Sequence, residues 1–208
     1  MIPSDEIIEN FFESVNPLEC MPQYVYDEEK MKYHQKVITD YIKAGYDINV
    51  GKPSGEYQGL NPLEYFFASF QYPYIRSIGE LCYEREEMIL KHVHWFIDLM
   101  LENGIDPNYN YWDDGRTALF YAILNFHIVY DDYEIYRKLI VYGYDINTEI
   151  KDLGWSIIVW AHYRNYLDFD VLQQLVEWND NRDKLEGEKY KGKDGYKKRK
   201  RFFSFMRL

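Results

Sequence analysis

The sequence predicts an all-α chain of repeated helix–turn–helix units joined by short β-hairpin fingers. Two observations predict it. An amphipathic stretch ends on a Gly-x-Asp-x-Asn segment three times. Each time, a second glycine with a helix-capping residue two positions on follows at a nearly fixed distance. A chain of 208 residues with 47% hydrophobic content has enough apolar material for one domain or one short stack of units.

From the N-terminus, Ser4-Asp5-Glu6-Ile7-Ile8-Glu9-Asn10-Phe11-Phe12 has a cap residue, early acids and apolar residues at helical spacing. It predicts a capping helix over about residues 1–15, covering the units at about 16–180. The first signature reads Asp40-Tyr41-Ile42-Lys43-Ala44-Gly45-Tyr46-Asp47-Ile48-Asn49. It returns as Leu99-Met100-Leu101-Glu102-Asn103-Gly104-Ile105-Asp106-Pro107-Asn108, and as Lys138-Leu139-Ile140-Val141-Tyr142-Gly143-Tyr144-Asp145-Ile146-Asn147. A helix ends on a glycine able to turn left-handed, and Asp and Asn stabilise the turn beyond it. These helices are expected to end at Ala44, Asn103, Tyr142 and, in a fourth and shortened unit, about Trp178. There Asn179 stands in the glycine's place.

The second signature is Gly59-Leu60-Asn61-Pro62-Leu63-Glu64, then Gly115-Arg116-Thr117-Ala118-Leu119-Phe120, then Gly154-Trp155-Ser156-Ile157-Ile158-Val159. Asn61, Thr117 and Ser156 are N-cap types, and Pro62 suits a first helical position. Asn16-Pro17-Leu18-Glu19 echoes the first copy letter for letter.

Together these segments resemble the ankyrin repeat over roughly residues 16–180. The resemblance implies a helical repeat solenoid whose hairpins and inner helices form a concave partner-binding face. The residues it assigns to partner contact are Tyr57, Gln58 and Leu60 in the first finger, and Tyr111, Trp112, Asp113, Asp114 and Arg116 in the second. The third contributes Ile150, Lys151, Asp152, Leu153 and Trp155. Trp, Tyr and Arg dominate interface energetics; against this, Trp112 and Trp155 would serve packing alone if they fold back on neighbouring fingers. The chain departs from the family in spacing, since Gly45, Gly104 and Gly143 lie 59 and 39 residues apart, against a family period of about 33. At the family's His position stand Glu64, Phe120 and Val159. The aromatic-rich insertion at 70–83 reads either as a second contact surface or as a lid packed on the helices.

Charge divides the chain into a body (residues 1–188) and a tail (189–208). Of 24 basic and 35 acidic residues, nine and one fall in the tail, giving +8 there and −19 in the body. The acidic body predicts attraction to a basic protein, as an inhibitor or immunity protein would need, or simply solubility. The tail interleaves aromatics with Lys197, Lys198, Arg199, Lys200 and Arg201. It would dock on the chain's own body, on an acidic partner, or on nucleic acid as an adaptor.

Chemistry is sparse by comparison. His92 and His94 lie about 200° apart around a helix and share no metal. Cys20 and Cys82 form neither a disulfide framework nor a CxxC site. No nucleophile elbow, Walker loop or dinucleotide fingerprint occurs. The reading is a non-enzymatic protein-binding module with no cofactor, metal or small-molecule substrate. Met1-Ile2-Pro3-Ser4-Asp5-Glu6 lacks the features of a signal peptide, and no stretch is long and apolar enough for a membrane span. A reducing cytoplasm is the expected compartment.

Overall fold

A computed structural model describes residues 3–16, 27–69, 83–126 and 133–186. Their regular structure is almost entirely helical: α1 (Asp5–Val15), α2 (Glu28–Lys43), α3 (Pro62–Ser69), α4 (Tyr83–Glu102), α5 (Ala118–Phe126), α6 (Glu134–Val141), α7 (Ile157–Tyr163), α8 (Phe169–Asp180) and α9 (Arg182–Glu186). Strands β1 (Glu149–Ile150) and β2 (Trp155–Ser156) pair antiparallel, with Glu149 opposite Ser156.

Local chemistry sets the helix ends. Ser4 Oγ accepts from the Ile7 amide, and Asp27 Oδ1 from the Lys30 amide. Asn61 and Glu64 cap α3 reciprocally, each side-chain oxygen accepting from the other's amide at 2.9 Å. Ser156 makes no side-chain capping bond, and the Thr117 hydroxyl pairs instead with that of the fully buried Tyr144, at 2.9 Å. At α4 and α6 the glycine closes the helix as expected. The Gly104 and Ile105 amides donate to the Leu101 and Met100 carbonyls, and those of Gly143 and Tyr144 to Ile140 and Leu139.

One sequence expectation is corrected. Asn179 does not end α8, which runs to Asp180 with Asn181 as its C-cap; the Asn179 side chain instead accepts from Arg182. The left-handed asparagine is Asn165 (φ 57°), just after α7. Asn16 closes α1, its amide donating to the Phe12 carbonyl, and the rest of the Asn16-Pro17-Leu18-Glu19 echo lies outside the described residues.

Apolar periodicity then decides the packing. Ile8, Phe11, Phe12 and Val15 bury one face of α1; Val93, Phe96, Ile97 and Met100 do the same for α4. Every residue of α3 is buried. One line of contacts runs α1–α3–α5–α7 and another α4–α6–α8, with α2 packed on α1 and α9 on α6 and α8. Stacked rings join the elements: Phe11 with Tyr41 (4.0 Å between centroids) and Phe66 with Phe96 (4.4 Å).

A ladder of asparagines ties the three Gly-x-Asp-x-Asn segments together. Within each Gly-x-Asp-x-Asn segment the Asp carboxylate accepts from the Asn amide two residues on, at 2.8–2.9 Å. The Asn side chain then crosses to the next segment. Asn49 donates to the Gly104 carbonyl and accepts from the Asp106 amide; Asn108 does the same with Gly143 and Asp145. Asn147 returns to its own Asp145 carboxylate. Asn108→Ala removes two crossing bonds and is expected to cost about 2 kcal/mol. Asn147→Ala should cost under about 1 kcal/mol. Urea unfolding of the two variants measures the difference, and equal losses would show that the crossing bonds contribute nothing.

Candidate partner-binding face

Fingers 46–60, 105–117 and 144–156 stand side by side, the first joined to the second through side chains and the second to the third by a backbone bond as well. In the first, the Lys52 amide donates to the Leu60 carbonyl and the Gly59 amide to the Lys52 carbonyl, both at 2.8 Å. The ring of Tyr111 covers Gly59, where an added Cβ would come within 2.2 Å of it. The second and third fingers meet through the Lys151 amide, which donates to the Asp114 carbonyl at 3.0 Å.

The charged finger residues serve this junction. Arg116 donates to Asp114 (2.8 Å) and, across the gap, to Asp152 (2.7 Å); Lys151 pairs with Asp113. Exposed pairs of this kind contribute at most about 1 kcal/mol each, so they orient the fingers more than they stabilise them. They also leave the expected row of partner-directed carboxylates largely neutralised.

Two predicted contact residues belong elsewhere. Leu60 and Ile150 are fully buried and pack in the core. Ile150 alternates with the exposed Glu149 and Lys151 and so points inward, whereas Leu60 is buried together with Gly59 and Asn61 just before α3. Tyr57 is half-buried, left-handed (φ 65°) and edge-on to Tyr65; Gln58 is exposed and donates to the Pro53 carbonyl.

What remains open is an apolar, aromatic surface. Tyr111, Trp112, Leu153, Trp155, Val159 and Tyr163 are all between 39% and 67% exposed. Trp155 meets Tyr163 edge-on at 4.8 Å, so it leans on α7 rather than folding onto a finger. Val159 and Tyr163 lie one helical turn apart and extend the finger surface onto α7. Sequence reasoning missed both as contacts. The signal was there in the spacing 155, 159, 163, large apolar residues on the face opposite the buried Ile157, Ile158, Trp160 and Ala161.

No family model, curated protein or solved structure matches the chain.

Behind the fingers lies a second feature that the sequence reading left unassigned. Glu64 is completely buried; Oε2 accepts from the Asn61 amide, while Oε1 meets no hydrogen-bond partner among the described residues. Burial drives its pKa up to about 8, opposed by the Asn61 amide and reinforced by Asp114 and Asp106. Tyr121 on α5 is pushed up to about 12, chiefly by burial and further by the charges of Glu64 and Asp114.

The histidines diverge as helical geometry requires. His92 is buried beside Gln35, and His94 meets Lys138 of α6. Among the described residues no three His, Cys, Asp or Glu side chains converge to hold a metal, and no helix is long and apolar enough to cross a membrane. Cys20, Cys82, nearly all of the 70–83 insertion and the whole tail, Lys197 to Arg201 included, lie outside the described residues.

Proposed function

We propose that this chain is a divergent ankyrin-like repeat protein that binds another protein through fingers two and three and the adjoining face of α7. The carrying observation is the group Tyr111, Trp112, Leu153, Trp155, Val159 and Tyr163, exposed on neighbouring elements. Large apolar residues gathered on a rigid surface mark interaction sites, and Trp and Tyr carry most of the binding energy in such sites. The asparagine ladder supports the repeat reading, since the same residue of successive segments makes the same crossing bonds.

The body's charge of −19 favours a basic partner, consistent with an inhibitor or immunity protein acting in the cytoplasm. Because the finger carboxylates are already paired, that charge should act on the association rate, and the aromatic contacts on residence time. Affinity capture from the native host, followed by titration of the captured protein, tests this. Trp112→Ala and Trp155→Ala should each weaken binding by roughly 10- to 30-fold while shifting the unfolding midpoint by no more than about 2 °C. A double variant that still holds the partner at wild-type affinity would discard this face.

A further inference from the structure

The same face has a resident candidate ligand in the chain itself. Beyond the turns at Asp106 and Asp145, fingers two and three carry Asp113, Asp114, Glu149 and Asp152 against Arg116 and Lys151, so the aromatic surface is rimmed by a net charge of −2 even after pairing. Residues 189–208 have the complementary composition: nine Lys/Arg and one acid, with Tyr190, Tyr196, Phe202, Phe203 and Phe205 among them. A second copy of the chain would instead bring a like-charged body against this rim.

The point of departure is close. α9 packs on α6 and α8, and its first residue, Arg182, donates to the Tyr144 carbonyl at 2.6 Å, at the base of the third finger. From Tyr144 to Trp155 the finger spans at most roughly 40 Å of chain, whereas residues 187–205 can reach roughly 60 Å. Tethering at this range gives an effective concentration on the order of millimolar.

We propose that residues 189–208 occupy the aromatic face formed by Tyr111, Trp112, Trp155 and Tyr163 in the absence of a partner, so that the tail is a tethered competitor for the binding site. Guanidinium and ammonium groups lie favourably over Trp and Tyr rings, and the phenylalanines supply apolar contact. The partner must then displace the tail, and removing the tail's charge increases the partner's apparent affinity.

The inference rests on reading this face as a binding surface, and the two fail separately. The test uses the full chain with a photoreactive benzophenone in place of Phe203 and 19F-labelled tryptophan. Irradiation should give intramolecular cross-links to residues 109–116 or 149–163, separated from intermolecular ones by mixing light and heavy chains. Their yield should fall roughly tenfold in 1 M salt, or when Lys197, Lys198, Arg199, Lys200 and Arg201 are all changed to Glu. That variant should also shift the Trp112 and Trp155 resonances and leave those of Trp95 and Trp160 in place. Cross-links only elsewhere or only between chains, or unmoved Trp112 and Trp155 resonances, overturn the proposal. So does binding of labelled RNA or DNA by the tail with those two resonances unchanged. Loss of the cross-link with partner binding still dependent on Trp112 sinks the tail alone. A correct cross-link in a chain whose charge-reversed form binds no partner leaves the tail contact standing and sinks the partner reading.

Discussion

Replacing Glu64 with glutamine should stabilise the protein at neutral and alkaline pH and flatten its pH profile. The folded state raises this carboxyl from an ordinary 4.5 to about 8. Between those values the native chain holds a proton that the unfolded chain has released. Stability therefore falls as pH rises from about 4.5 towards 8, by a few kcal/mol, and levels off above. A glutamine at this position cannot ionise, and its side-chain oxygen can still accept from the Asn61 amide as Glu64 Oε2 does. Urea unfolding at pH 4.5, 6.5 and 8.5 should show a gap between variant and wild type that opens from near zero to a few kcal/mol. Parallel profiles would mean that Glu64 is ionised without penalty. On the acid side the opposite limb belongs to His92, held near 4 by burial and by His34. A buried neutral histidine loses its stabilising contribution as pH falls from 6.5 towards 4; between about 4.5 and 6.5 the two slopes oppose each other, so wild-type stability should be nearly flat there and fall on either side.

Gly115→Ala should cost about 4 kcal/mol, whereas Gly104→Ala should cost only about 1 kcal/mol. Both glycines are left-handed, at φ 85° and 86°, so the conformational penalty is shared. The surroundings differ. A Cβ on Gly104 meets nothing within 4 Å, but one on Gly115 would sit 1.9 Å from the Glu149 carbonyl oxygen and 2.7 Å from its carbon. Those atoms are backbone and cannot rotate aside. The second and third fingers must part, losing the Lys151–Asp114 amide bond and the Arg116 bridge to Asp152. Thermal unfolding should place Gly115→Ala roughly 10 °C below wild type and well below Gly104→Ala. Similar midpoints would mean that the fingers are not packed this tightly.

Much of this architecture could be read before the fold was known, because its governing interactions are local. Gly45, Gly104 and Gly143 end helices wherever they stand, and Asp two residues before Asn closes the same turn in any context. The misreadings occur where a distant residue decides. Asn179 matches a helix-ending asparagine locally, but Arg182, held on the distant Tyr144 carbonyl, takes its side chain and α8 continues. Ile150 lies between the exposed Glu149 and Lys151, and only the pleat of the hairpin turns it inward, whereas Leu60 is buried together with Gly59 and Asn61 where the chain enters α3. Glu64 is a different case. Asn61-Pro62-Leu63-Glu64 has capping-box spacing, which is local, but the burial that raises its carboxyl comes from the elements packed around α3. Val159 and Tyr163 stand at helical spacing in the sequence, and the contact that joins them to the finger is that of Trp155 with Tyr163.

The asparagine ladder has a direction. The amides of Asp106 and Asp145, both on exposed residues, are satisfied by Asn49 and Asn108 of the preceding segment. Their hydrogen-exchange rates therefore report the integrity of a neighbour and not of the segment that contains them. Asp106 becomes a sentinel for the first finger and Asp145 for the second, two built-in probes that would reveal from which end the molecule begins to open.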